Sequence, residues 1–218
     1  IVADTVPERE ALVCGEARLT YAELEQRANR LAHFLAAQGI GAGDKVGLYL
    51  HNCNEYLEGM LACFKVRAVP VNVNFRYVDE ELSYIFNNAD MAGCIHHREF
   101  VPHIAAVRAA SPHLKTLIAV DDGTAFDPAT IGAIGYEQAL AQVEALRGEI
   151  QAIAAETKAS AQSGGFGPSS FDPSAFRMKL NMRIEQALVP TMSEDQRKTY
   201  ERWKKGRETT RSAAVWVL

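Results

Sequence analysis

The sequence predicts an α/β protein with a mostly parallel sheet, flanking helices, an N-terminal β-hairpin and a helical C-terminal tail. Three observations predict it. Apolar runs of strand length recur along the chain: VGLYL (46–50), VPVNV (69–73), AGCIH (92–96) and TLIAV (116–120). Stretches with apolar residues at helical spacing separate them. VGLYL is apolar throughout instead of alternating, as in strands buried on both faces of a parallel sheet. Strands alternating with helices of ten to fifteen residues are βαβ units.

The elements follow in chain order. ALVCGEARLT reads as two short strands around a Gly-Glu turn, a hairpin expected at a sheet edge. Thr20 and Glu23 have capping-box spacing, so each side chain can satisfy the other's backbone N–H at a helix start. Leu24, Ala28, Leu31 and Leu35 then recur on one helical face. Gly39 ends that helix, because glycine tolerates the left-handed conformation just past a helix. VGLYL is the first strand of the sheet. A helix over about 55–65 follows, with Leu57, Met60, Leu61 and Phe64 expected inward. In VPVNV, Pro70 fits the first residues of a strand, where no ladder N–H is needed. Asp79 is expected to cap a helix carrying Leu82, Ile85 and Phe86. AGCIH is a strand, 98–110 a helix stopped by Ser111-Pro112, and TLIAV a strand closed by Asp121-Asp122-Gly123. Residues 124–135 read as a loop, and Tyr136 to about Ser160 as a long helix.

Past that helix the character changes. Residues 1–142 carry a net charge of −7 and residues 143–218 a net of +3, within a total of −4. Such asymmetry marks segments with different surroundings. The expected organisation is an α/β unit over 1–142, a helix and Gly/Ser/Pro-rich linker over 143–173, and a tail over 174–218. SGGFGPSSFDPS has turn residues and no periodicity. In the tail, Phe176, Leu180, Ile184 and Leu188 recur every four residues, and Ser193 with Gln196 opens a second helix. AAVWVL ends the chain as a strand-like run.

Composition excludes several classes. No run of eighteen apolar residues exists, so no membrane partner is expected. The start, IVADTVPERE, is not a signal peptide, and without Met it reads as beginning partway into a longer protein. Cys14, Cys53, Cys63 and Cys94 form no CxxC pair and read as reduced, buried thiols of a cytoplasmic protein. The run RKTYERWKKGRETTR has seven basic residues with Tyr200 and Trp203, but its acids pair within a helix. It reads as a solvated helix face and not as a nucleic-acid site.

No residue set reads as catalytic or as a metal site. His96 and His97 are adjacent in a strand, so their side chains point to opposite faces and cannot share one ion. The candidate ligand contacts lie where strands end, the place open α/β sheets hold ligands. These are His51 and Asn52 after VGLYL, and Asn72, Asn74 and Arg76 after VPVNV. Each has a structural alternative: capping of the next helix for the first pair, and fixing of the loop for the other three.

The stretch ALVCGEARLTYAELEQRANRLAHFLAAQGIGAGDKVGLYLHNCNEYLEGMLACFKVRAVPVNVNFRYVDEELSYIFNNAD resembles the N-terminal region of the acyl-CoA synthetases, in the AMP-binding, adenylate-forming superfamily. A hairpin, an LTYxEL helix, a GDxVxL strand, an N-x-x-E helix and a P-V-N strand occur in the family's order. The match runs through HHREFVPHIAAVR to about Gln142. RAVPVNVNFRYVDEEL is most similar to bacterial synthetases acting on fatty acids or steroid side-chain acids.

The resemblance implies a ligase that uses ATP and Mg²⁺ to make an acyl-adenylate and then passes the acyl group to coenzyme A. It equally implies a fragment. The family's Ser/Thr/Gly-rich phosphate loop, its aromatic-Thr-Glu motif, its ribose-binding Asp and its lid lysine cannot be placed on this sequence. SGGFGPSS lies near the expected loop position but has no Thr-Thr-Gly centre, and the next lysine is Lys179. The expectation is therefore a chain that binds none of the three cofactors alone. Its partner would be the rest of a synthetase, or another copy of itself. MSEDQRKTYERW is loosely similar to Leu-Thr-x-x-Gln helices of bacterial envelope and efflux-adaptor proteins. That similarity raises the alternatives of an interaction module or a fusion of two fragments.

Overall fold

A computed structural model describes residues 2–163 and Met182. The linker and tail expectations, including SGGFGPSS and the basic run, lie outside the described residues. Residues 1–144 form one compact unit and 145–218 a second. Helix α6 (Tyr136–Ser163) starts in the first range and continues into the second.

The first unit begins with the short helix α1 (Val2–Thr5) and the hairpin β1 (Glu10–Cys14) and β2 (Ala17–Thr20). Glycine is needed in the hairpin turn, where Gly15 has φ +57°. The hairpin forms a two-stranded sheet of its own and does not join the edge of the main sheet. Its second strand runs straight into helix α2 (Tyr21–Ala37) through the Thr20/Glu23 capping box. The Thr20 N–H donates to Glu23 at 2.8 Å and the Glu23 N–H to the Thr20 hydroxyl at 3.2 Å. This immediate helix start holds the hairpin beside α2.

Strands β3 (Lys45–Tyr49), β4 (Val69–Asn72), β5 (Met91–His97), β6 (Thr116–Val120) and β7 (Ile134–Gly135) make a five-stranded sheet in the order β4-β3-β5-β6-β7. Every neighbouring pair is parallel. The segment expected to be a loop thus supplies an edge strand, β7, preceded by a 3₁₀ turn at Pro128–Ile131. Two residues are too few to show a strand period in the sequence. At the other edge, the Val69 N–H donates to the Asp44 carbonyl and the Val73 N–H to the Leu48 carbonyl. Alternation turns Pro70 and Asn72 outward, and Pro70 has no N–H to offer. That blunts an otherwise open pairing edge.

Helices α3 (Asn54–Lys65), α4 (Asp79–Asn88) and α5 (Val101–Arg108) complete the unit. Alternate side chains of each strand enter different cores. Val46, Leu48, Leu50, Ile95 and Ile118 meet α2, α3 and α6 residues such as Leu31, Leu35, Ala62 and Leu140. Tyr49, Cys94 and Leu117 meet Leu82, Phe86, Ile104 and Val107 of α4 and α5. The sheet is covered on both faces, as the apolar runs required.

Two helix readings are corrected. In α3 the buried residues are Asn54, Glu58, Gly59, Ala62 and Cys63. Leu57 and Phe64, expected inward, are 41% and 56% exposed, while Met60 and Leu61 are half-buried. The helix sits close to the sheet through Gly59, where an added Cβ would come within 3.0 Å of Leu48 and 3.1 Å of Ile95. A larger residue there would push the helix away. In α4 the N-cap is Val78, and Asp79 is the first helical residue. The cap is the Glu81 carboxylate, which accepts the Val78 N–H at 3.2 Å. Leu82 and Phe86 are buried as expected.

Candidate functional site

In a parallel sheet all strands end at one edge, and here that edge collects polar side chains. His51 follows β3, Asn74 to Arg76 follow β4, His97 ends β5 with Arg98 and Glu99 after it, and Asp121 to Thr124 follow β6. His51 is the centre of the cluster. Its Nε2 lies 2.6 Å from Glu99 Oε1, and both side chains are partly exposed. Its ring sits 4.6 Å from Phe75, 5.4 Å from His97 and 5.5 Å from Phe100, centroid to centroid.

The backbone N–H of His51 donates to His97 Nδ1 at 3.1 Å. His97 therefore uses Nδ1 as acceptor, and in the neutral ring its proton sits on Nε2. Burial lowers the His97 pKa, against the pull of Asp122. Glu99 is held by its own N–H, which donates to Asp122 at 2.8 Å. Asp122 also accepts from the Thr124 N–H and hydroxyl. Burial works against the Asp122 charge, but these donors outweigh it and lower its pKa. The Gly123 N–H and Arg98 do the same for Asp121, with Arg98 Nη1 at 3.0 Å.

His96 differs from its neighbour. It is fully buried, and its Nδ1 lies 2.8 Å from the His97 carbonyl, which can only accept. Nδ1 thus carries the proton, and Nε2 is buried without a partner among the described residues. Burial pushes the His96 pKa down to about 4. The two histidines do lie on opposite faces, His96 inside and His97 at the cluster.

The residues expected at this edge are brought together only in part. His51 is in the cluster. Asn74 accepts the Arg76 N–H at 3.0 Å and so fixes its own loop. Arg76 lies over the Phe75 ring at 5.5 Å, which links that loop to His51. Asn72 is the exposed last residue of edge strand β4. Asn52 contributes its carbonyl, which accepts the Cys14 thiol at 3.5 Å. Neither His51 nor Asn52 caps α3; the N-cap is Cys53, which makes no side-chain capping bond. Sequence reasoning missed Glu99, Phe75, Phe100 and Asp122. Only their position just past predicted strands could have pointed to them.

The edge presents imidazoles and carboxylates. Its cations are engaged, Arg98 with Asp121 and Arg76 with Phe75. Among the described residues no group of three His, Cys, Asp or Glu side chains is placed to hold a metal ion. A triphosphate with Mg²⁺ needs a ring of positive donors and free carboxylates, and this donor set does not fit one. No described helix is long and apolar enough to cross a membrane.

Comparison with known proteins places the fold. The family model described as AMP-binding enzyme matches residues 2–159. The chain belongs to this family. It is 52% identical over 139 residues to a 3-oxocholest-4-en-26-oate–CoA ligase of Rhodococcus rhodochrous, covering 64% of this chain and 25% of the relative. A medium/long-chain-fatty-acid–CoA/3-oxocholest-4-en-26-oate–CoA ligase of Mycobacterium marinum is 47% identical over 138 residues, with 63% and 25% covered. The chain thus spans about a quarter of the length of these relatives. An anthranilate–CoA ligase, AuaEII, solved with anthranoyl-AMP, superposes with a TM-score of 0.60 at 21% identity, over 65% of this chain and 26% of that one. The acetoacetyl-CoA synthetase of Streptomyces lividans superposes at 0.58 with 24% identity, over 64% and 24%. These last two speak for the fold alone.

Proposed function

We propose that residues 2–144 are the N-terminal subdomain of an acyl-CoA-forming ligase for large apolar acids, steroid side-chain or medium- to long-chain fatty carboxylates. The observation that carries this is the 52% identity to a steroid-acid ligase over 139 residues. In such a reaction ATP with Mg²⁺ activates the carboxylate and coenzyme A accepts the acyl group. The part assigned to this chain is scaffolding: a two-sided sheet whose polar edge faces the chemistry. His51, Asn52, Asn72, Asn74 and Arg76 are assigned to that edge, with His51 fixed by Glu99. By itself the chain is expected to catalyse neither step, since the charged groups of the edge are already paired with one another.

Substitution of residues 2–144 for the matching quarter of the Rhodococcus enzyme tests the assignment. The chimera is expected to keep steroid-acid thioester formation within about tenfold, a cost of about 1.4 kcal/mol. A folded chimera without thioester formation overturns the assignment.

A further inference from the structure

Two thiols lie near the site, and one of them, Cys53, packs at the margin of the first core. Cys14, the last residue of β1, and Cys53, the N-cap of α3, are both partly exposed, whereas Cys63 and Cys94 are buried. They are 39 positions apart in the chain, yet the Cys14 Sγ donates to the Asn52 carbonyl at 3.5 Å. That oxygen is in the peptide group leading into Cys53. Standard bond lengths put it within ~3 Å of the Cys53 Cα. The Cys14 sulphur is therefore within ~6 Å of the Cys53 Cα, and closing a disulfide from there requires a side-chain turn together with a shift of the hairpin.

The hairpin is a separate two-stranded sheet with no hydrogen-bonded strand pairing to the five-stranded one. Its Cys14 end meets the loop that follows His51.

We propose that Cys14 and Cys53 are a reversible redox pair that closes to a disulfide and latches the hairpin onto the His51–Asn52 loop. With glutathione disulfide as oxidant, the Cys14 thiolate attacks one sulphur and releases one glutathione thiolate. Cys53 then gives its proton to solvent and attacks the Cys14 sulphur of the mixed disulfide, releasing the second glutathione. The two protein thiols lose two electrons and two protons, and one glutathione disulfide becomes two glutathiones. Burial, with Glu55 beside it, pushes the Cys53 thiol up to about 12, so the closing step speeds up as pH rises.

The test uses the full chain, treated with excess glutathione disulfide and then blocked with an alkylating agent. Glutamyl endopeptidase separates Cys53 from Cys63 by cutting at Glu55 and Glu58. The expected product is a monomer with the Cys14 and Cys53 peptides joined, two thiols still alkylated, and the link lost in Cys14→Ser and in Cys53→Ser. Closure is expected to accelerate about tenfold per pH unit between pH 7 and pH 9. Recovery of four alkylated thiols, of stable glutathione adducts without closure, or of a Cys53–Cys63 link would overturn the proposal. A chain that unfolds under oxidation, with all thiols scrambled, would also overturn it.

Discussion

Two polar clusters in this molecule use the same chemistry at different depths. One lies between α2, α3 and α6. Glu58, 0% exposed, accepts from Arg27 Nε at 2.8 Å and from the Tyr136 hydroxyl at 2.6 Å. Arg27 also forks onto Glu137. Burial opposes the Arg27 charge, but Glu137 and Glu58 outweigh it and raise its pKa. Burial and the Glu58 charge keep Tyr136 protonated. The other cluster is the His51–Glu99 pair at the sheet edge, with side chains 44% and 38% exposed. In the buried cluster the Glu58 carboxylate has both its partners inside the protein and ties three helices together, while Glu137 at its outer end reaches solvent. The edge cluster keeps access to water. Depth, more than residue type, separates anchor from site.

Breaking the buried cluster should cost most. Glu58→Ala leaves Arg27 without its inner partner and Tyr136 without an acceptor, and is expected to lower stability by about 3 kcal/mol in urea denaturation. A loss below about 1 kcal/mol would mean water already reaches the pair.

His96 gives the next effect. Its folded-state pKa of about 4 lies below the usual value of 6.5, so the unfolded chain binds the extra proton first. The stability it contributes is complete above pH 6.5 and falls as pH drops toward 4, by about 2–3 kcal/mol. His96→Gln should flatten this part of the pH–stability curve. An unchanged slope would assign it to other groups.

Gly59→Val should cost about 1–3 kcal/mol by overpacking against Leu48 and Ile95. Thermal melting checks it, and an unchanged midpoint would show that α3 can move off the sheet.

The smallest effect is expected at the edge. Glu99→Gln should change stability by less than about 1 kcal/mol. It should nonetheless move the NMR resonances of the His51 ring, because the 2.6 Å contact with the carboxylate orients that ring. Ring resonances identical to wild type would show that the pair does not form in solution.

Much of the fold was legible because it depends on local signals. Thr20 and Glu23 are three residues apart, and VGLYL and TLIAV carry their burial in their composition. The inward face of α3 was not legible. Leu57, Met60, Leu61 and Phe64 are the larger apolar residues, but the sheet accepts only the small Gly59, Ala62 and Cys63 at close range. Glu58 looked like a surface residue because its partners stand 31 positions before it and 78 after it. The site was half legible for the same reason. His51 follows a clear strand end, while its partner Glu99 is 48 positions away and nothing in its local sequence shows the pairing.

The most direct test of the central claim is ATP–pyrophosphate exchange by the purified chain with Mg²⁺ and a steroid side-chain or long-chain fatty acid. The account predicts exchange no faster with the acid than without it. Exchange that depends on the acid would contradict it, because these residues would then be holding and activating a nucleotide by themselves.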